Sequence, residues 1–600
     1  MPPPDQASGR LARWGVGEVV AGVTGGHRTA ADVAEEALER AAIYDTVQPQ
    51  TWIHRCDPAA VRASARRIDA RLAAGETLPL AGAPYAVKDN IDVAGLPTTA
   101  ACPAFAYSPE RSATVVERLE AAGALLIGKT NLDQFATGLS GARSPYGACG
   151  CVYNRDFVSG GSSSGSAVAV AAGLVTFALG TDTAGSGRVP AAINGLVGLK
   201  PTRGRWSTRG LTPACRTLDC ISVFTATVED AALVDGVVTG FDPEDPYSRP
   251  APSGKAPSPT RLGAPLPSQR VFLGDRQYAG LFDRALARLA DLGAEIVEVD
   301  ISPLLAAARL LYAPGPWVAE RAAATESLLR TNPSAIHPVV REILQQGLAT
   351  SGVEAMKGQY ALAGCRREAE SIWRACDALV LPTSPTVYRI ADMLAEPMQL
   401  NANLGLYTNF VNLLDLAALA LPAGFRTDGP GFGVTLMAPA WGDRALQALG
   451  RRFEAAAVDP PPPLDLGERP ADTVKLAVLG AHLAGMPLHW QLQSRGARLA
   501  ALTRTAPVYR LYAMSGVTPP KPALAHVGDG GAAIEVEVYE LPLDLFGGFV
   551  AAVEAPLAIG DVTLADGARV KGFVAEPRAC HGAEDITAFG GWRAYLAATG

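Results

Sequence analysis

Hydrophobic positions recur at helical spacing early in the chain and give way to short continuous runs after about residue 80. The text VAEEALERAAIYD, residues 33–45, predicts an amphipathic helix. Thr29, with Asp32 three residues on, is the matching N-cap signal. DPAAVRASARRIDARLAAG predicts a second helix ending near Gly75. Asp57 suits its N-cap, and Pro58 its first turn, where a missing N–H is harmless. APYAVKDNIDVAG then predicts a strand and a turn. From there to about residue 230, short β-branched runs alternate with helical runs and Gly-rich turns, the pattern of an α/β layered domain. Residues 241–260 read as an exposed loop. AGLFDRALARLADLG and AEIVEVD predict a helix and a strand, a helical region runs to about 376, and ALVLPTSPT predicts a buried strand.

The pattern breaks at VDPPPPLDLGERPAD, residues 458–472. Four consecutive prolines cannot continue a helix or an inner strand, so this segment is expected to be a stiff linker. Beyond it, AIEVEVYEL alternates like a half-buried strand, and VTLADGARVKGFV predicts a hairpin turning at Asp566-Gly567. The expected organisation is a large α/β domain over 1–457, the linker 458–472, and a small α+β domain over 473–600.

Composition narrows the class. Of 600 residues, 48% are hydrophobic and 18% charged, which is globular composition and not that of a disordered chain. Lys plus Arg is 52 against 59 Asp plus Glu, a net charge of -7, so no global field draws nucleic acid or an anionic membrane. No run reaches the ~18 apolar residues of a membrane span, and the first twenty residues lack a signal peptide's pattern. Nine scattered cysteines, an odd number, read as reduced thiols in a cytoplasmic protein. The histidines show no HExxH spacing, and Cys149 and Cys151 lack CxxC partners, so no metal site is expected.

The strongest chemical signal is SGGSSSGSAVAVAAGLVTFALGTDTAGSGR, residues 159–188. Glycines and hydroxyls cluster at both ends of a short apolar, helix-like run that must be buried, and glycines let backbone N–H groups approach a ligand. Upstream, Lys88 follows Ala86-Val87 at an expected strand end, where burial would disfavour its charge and lower its pKa.

PYAVKDNIDVAGLPTTAACPAF, GALLIGKTNLDQFATG and GGSSSGSAVAVAAGLVTFALGTDTAGSGRVPAAINGLVGLKPTRG fall within about 120 residues, in the order and spacing of the amidase signature family, which the chain therefore resembles. The resemblance implies a Ser–Ser–Lys triad: Lys88 as base, Ser162 as bridging serine after a cis peptide bond, and Ser186 as nucleophile. It also implies an oxyanion hole from the N–H groups of Thr183, Ala184, Gly185 and Ser186, with Asp182 and Arg188 bracing the loop. NLDQFATGLSGARSPYGA, GPWVAER, NANLGLYTNFVNLLDLAALALPAG and the C-terminal text resemble the allophanate hydrolases more narrowly. That implies cleavage of allophanate to ammonia and carbon dioxide without metal or organic cofactor. It implies Tyr312 and Arg321 on the substrate carboxylate, although YAPGPWVAER is one residue longer than the family pattern between them. A homodimer is expected, and a urea carboxylase or biuret hydrolase on a separate chain would supply the substrate. The C-terminal domain resembles γ-glutamyl cyclotransferases in fold, with His482 as a possible acid/base for a second step. The alternatives are hydrolysis of another carboxylated amide such as malonamate, an amidotransferase subunit, or a non-catalytic module on a dead amidase; intact Lys88, Ser162 and Ser186 argue against the last.

Three motifs point elsewhere and are set aside on context. GALLIGKT, residues 123–130, fits a phosphate loop, but its middle positions read as a buried strand. GSSSG, residues 161–165, fits a nucleophile elbow, but YNRDFVSG before it is a poor strand and no histidine is placed to serve. EAMKG looks like a biotin-attachment site, yet it lies in a helical region, so Lys357 is expected to be a solvated charge.

Overall fold

A computed structural model describes residues 11–254, 257–456, 460–466, 473–495, 497–514, 516–517 and 519–599. The chain divides into two compact units, Met1–Leu466 and Gly467–Gly600.

The first unit is built on one mixed sheet of eleven strands: β1 Trp52–Arg55, β2 Pro84–Lys88, β3 Leu125–Thr130, β4 Phe177–Asp182, β5 Val197–Lys200, β6 Cys220–Thr225, β7 Arg261–Pro265, β8 Glu295–Val299, β9 Ala378–Pro382, β10 Leu416–Phe425 and β11 Gly431–Pro439. Their order across the sheet is β1-β3-β2-β4-β6-β5-β10-β11-β9-β7-β8. β2 runs parallel to both β3 and β4, β6 returns antiparallel beside β4, and β5 pairs antiparallel with β6 and so runs in the direction of β4. Strands β2, β4, β6 and β9 are buried at every position, which explains their continuous apolar runs: a strand covered on both faces has no reason to alternate.

Helices cover this sheet. α1, Ala30–Asp45, starts as its cap signal predicts: Thr29 Oγ1 accepts from the Asp32 N–H at 3.0 Å, and Asp32 accepts from the Thr29 N–H at 2.8 Å. α2, Pro58–Ala73, begins at the expected place, but the Asp57 side chain caps nothing. The fixed φ of Pro58 suffices to start it. The segment YNRDFVSG does contain a strand, Asn154–Val158, paired with Gly150–Cys151 outside the main sheet. Only Phe157 and Val158 of it are buried, so its pattern shows little alternation. Beyond it lies α3, Ser164–Ala171, all eight of whose residues are buried.

Of the expected linker 458–472, residues 458–459 and 467–472 lie outside the described residues. Residues 460–466 lie along the first unit: the Asp465 N–H donates to Val152 O at 2.7 Å, and Leu464 and Leu466 pack on its core. Residues 241–254 and 257–260 carry no helix or strand.

The second unit has a five-stranded sheet of β12 Thr473–Val478, β13 Arg498–Arg504, β14 Glu535–Pro542, β15 Leu557–Thr563 and β16 Arg569–Ala575, ordered β13-β14-β12-β16-β15. β15 and β16 form the predicted hairpin, with Gly567 at φ +86° in its turn. Leu476, Val478, Val536, Val538, Phe549 and Phe573 belong to its core. No helix among the described residues is long and apolar enough to cross a membrane.

Candidate active site

The site forms at the carboxyl ends of the parallel strands β2 and β4, where α/β sheets commonly bind ligands. Lys88 is the last residue of β2 and is fully buried. Its Nζ donates to Ser162 Oγ and to Thr181 Oγ1, each at 2.7 Å. Burial pulls its pKa down to about 7, against the opposing pull of the Asp133, Asp219 and Asp182 carboxylates. Half of the lysine is then neutral near pH 7, a state a surface lysine does not reach.

The Gly161–Ser162 peptide bond is cis. Its loop is held by the Gly161 N–H on Leu139 O at 2.8 Å and by Ser162 O, which accepts from the Asp133 N–H at 3.0 Å. The other hydroxyls of this cluster serve the fold. Ser163 Oγ donates to Thr181 O at 3.2 Å and Ser166 Oγ to Leu179 O at 3.0 Å, tying α3 to β4. Ser163, the serine of the elbow-like GSSSG, is therefore a structural hydroxyl.

β4 ends at Asp182, and the loop to Arg188 turns round that carboxylate. Asp182 accepts from the N–H groups of Gly185 and Gly187 at 3.1 and 3.0 Å, and from Arg188 Nε and Nη2 at 2.9 and 3.0 Å. Both side chains are wholly buried. Burial would raise the Asp182 carboxyl, but Arg188 holds it below the ordinary carboxylate range. Asn412 Nδ2 donates to Asp182 O at 2.7 Å. This braced loop presents Ser186, 2% exposed. Its Oγ makes no hydrogen bond among the described residues, so Lys88 and Ser162 are joined directly and Ser186 stands as a free hydroxyl.

The loop N–H groups are not equivalent. That of Gly185 is engaged by Asp182, while those of Ala184 and Ser186 have no partner among the described residues. Gly185 sits at φ +136°, a conformation an L side chain resists, and its place is the turn itself. Thr183 is tied by its hydroxyl to Asp219, which also accepts from the Ala214 and Cys215 N–H groups. Burial pushes the Asp219 carboxyl up to about 6.

Arg321 lies in the helix α4, Pro316–Thr331, and is 2% exposed. Its Nη1 donates to Thr137 Oγ1 at 3.2 Å, its Nη2 reaches Tyr312 Oη at 3.5 Å, and its guanidinium lies 4.9 Å from the Tyr312 ring centre. The extra residue in YAPGPWVAER thus leaves Tyr312 in contact with Arg321. Asp219 acts electrostatically on both Lys88 and Arg321. Sequence reasoning missed Thr181 as the second partner of Lys88 and Asp219 as the anchor of Thr183. Thr181 lay inside the quoted cluster, but nothing in a linear text shows which hydroxyl faces a given amine.

His482 belongs to the second unit. Its Nε2 lies 3.0 Å from Gln491 Oε1, its ring stacks on Phe573 at 4.8 Å, and it lines a cavity of about 240 Å³ with Lys521 and Glu554. Burial and Lys521 keep its pKa below the ordinary imidazole value. The set-aside motifs resolve too. GALLIGKT forms buried β3, and Lys129 pairs with Asp89 at 3.0 Å. Lys357 is exposed on the helix Gly352–Ala375.

Comparison with known proteins agrees with this architecture. Residues 32–446 match the family model described as Amidase, and residues 474–597 the model of the allophanate hydrolase C-terminal domain. A urea amidolyase of Saccharomyces cerevisiae is 45% identical over 549 residues, 87% of this chain. This chain spans only 30% of that relative's length. A crystal structure of an allophanate hydrolase from Kluyveromyces lactis superposes with a TM-score of 0.71 at 42% identity, covering 98% of this chain and all of that one. A glutamyl-tRNA(Gln) amidotransferase chain of Synechococcus elongatus is 35% identical, over 68% of this chain and 91% of its own length.

The Asp182–Arg188 pair yields a stability test. Asp182→Asn leaves a buried guanidinium without its counter-charge, which is expected to destabilise the first unit by ~3–5 kcal/mol in urea unfolding. A loss below about 1 kcal/mol, the range of exposed pairs, would show that the pair does not hold the loop.

Proposed function

The chain belongs to the amidase family, and from that premise we propose that it hydrolyses allophanate, urea-1-carboxylate, to ammonia and carbon dioxide. The observation that carries the reading is a buried lysine hydrogen-bonded to Ser162, in a unit that also buries a cation, Arg321, with no ion-pair partner among the described residues. The first supplies amide chemistry, and the second suits a small anionic substrate. The match of residues 474–597 supports allophanate over malonamate. It also favours a hydrolase over a transamidating enzyme, since the amidotransferase relative aligns with only 68% of this chain.

In this reading neutral Lys88 takes the Ser162 proton as Ser162 takes that of Ser186. Ser186 Oγ then attacks the amide carbonyl carbon. The developing oxyanion meets the N–H groups of Ala184 and Ser186, with Thr183 beside them; Gly185 shapes the loop while its own N–H stays on Asp182. The C–N bond breaks, and ammonia leaves with the proton returned through Ser162. Water, activated by the same relay, releases N-carboxycarbamate, which loses CO2 to leave carbamate, and carbamate falls to a second ammonia and a second CO2. Arg321 grips the substrate carboxylate and Tyr312 adds a hydroxyl donor. No step calls for a metal or an organic cofactor. The reading includes a cytoplasmic homodimer with domains at 1–457 and 473–600, fed by a urea carboxylase or biuret hydrolase on a separate chain. His482, lining its cavity with Lys521 and Glu554, is the candidate acid/base for the second step.

Three measurements test the proposal. Purified protein should release ammonia from allophanate, and Ser186→Ala should lower the rate by about a thousandfold or more. Turnover of malonamate without allophanate would keep the chemistry and discard the substrate. Lys88 works deprotonated and its pKa is lowered, so kcat/KM should rise with pH through about 7 and level off above it. A rate flat from pH 6 to 8 would rule Lys88 out as the base. His482→Asn should slow CO2 release while leaving ammonia release from the first step unchanged; equal slowing of both would place His482 outside the second step.

A further inference from the structure

The loop 133–143 carries a second buried guanidinium beside Arg321. Arg143 is 3% exposed. Its Nη1 donates to Thr137 O at 3.1 Å and its Nη2 to Pro397 O at 2.6 Å. Thr137 is therefore held from both sides: Arg143 takes its carbonyl, and Arg321 its hydroxyl at 3.2 Å.

Neither guanidinium forms an ion pair with a carboxylate among the described residues. The nearby carboxylates are engaged elsewhere. Asp133 accepts from the N–H groups of Ser140, Gly141 and Arg143 at 3.2, 3.0 and 2.9 Å, and Asp219 serves Thr183, Ala214 and Cys215. The Nε atoms of Arg143 and Arg321 are both buried without a hydrogen-bond partner. The two cations also sense each other: burial lowers the pKa of Arg143, Arg321 lowers it further, and Asp133 and Tyr312 oppose. A buried cation is strongly destabilising unless something anionic meets it. Two, sharing one threonine, with Tyr312 against one of them, describe a subsite for an anion.

We propose that Arg143 is a specificity-determining residue of this site: by its charge, and by orienting Thr137 against Arg321, it completes a two-guanidinium subsite for the carboxylate of a small carboxylated amide. The proposal rests on the amide-hydrolysis reading above and extends it to Arg143, to which the sequence analysis gave no role. Arg143 acts on specificity through Thr137 and through its field, and touches none of the reacting atoms.

Binding tests it independently of turnover. Malonate and neutral malonamide differ in carrying carboxylates or amides on the same three-carbon frame. Calorimetric titration of the full chain should show malonate bound and malonamide much weaker. Arg143→Gln should weaken malonate by about tenfold or more, and Arg143→Lys, which keeps the charge without the fork, should recover most of that loss. Undiminished malonate affinity in Arg143→Gln, equal weakening in both variants, or no malonate binding by the unmodified chain would overturn it. If Arg143→Gln does not fold, Arg143→Lys decides. Affinity within about threefold of the unmodified chain supports the subsite, and a larger loss refutes it. Ammonia release from allophanate is measured alongside. Its absence would sink the proposed substrate and leave the malonate result standing.

Discussion

A lysine sealed from water at the end of a strand holds its proton only weakly, and the rest of this site is arranged around that fact. Lys88 has two hydroxyl partners and no carboxylate within ion-pair distance among the described residues. Desolvation therefore dominates its protonation, and its amine is half neutral near pH 7. A direct salt bridge would have restored the charge. The three aspartates that surround it at longer range temper the effect without cancelling it.

Those aspartates have structural employment that keeps them off the lysine. Asp182 is closed by Arg188 and two glycine N–H groups, Asp133 by the amides of its own loop, and Asp219 by Thr183 and two further amides. Each carboxylate organises one loop: the Ser186 loop after β4, the loop 133–143, and the start of β6. The charges that shape the backbone are thereby the charges that tune the chemistry. In the same neighbourhood Arg143 and Arg321 remain without ion pairs among the described residues, an imbalance that suits an anionic guest better than an empty core.

Much of this was legible in linear text. The Thr29–Asp32 capping box, the helix after Pro58 and the hairpin at Asp566-Gly567 depend on neighbours a few residues away, so local chemistry suffices to read them. The buried strands β2 and β9 showed as apolar runs for the same reason, whereas β4 lay hidden in a run read as helix-like that divides into helix α3 and strand β4. What escaped was contextual. Asp57 has the right residue type for a cap but makes no capping bond. Asn154–Val158 is a strand whose polar residues face outward in a two-stranded ladder, so neither its period nor its composition announced it. Residues 460–466, read as spacer, pack Leu464 and Leu466 on the first unit.

By itself the sequence determined the α/β class and the main run of helices and strands, because propensity and burial pattern are properties of residues near one another, and its family resemblance singled out Lys88, Ser162, Ser186 and Arg321 as candidates. Tertiary structure alone decided that Lys88 meets Ser162 and Thr181 across 74 and 93 residues, that Thr183 is tied to Asp219, and that Arg143 and Arg321 share Thr137. Hydrogen-bond partners and desolvation depend on which strands lie side by side in the sheet. That order, β3-β2-β4-β6 at the site, brings distant segments together in a way no linear spacing encodes.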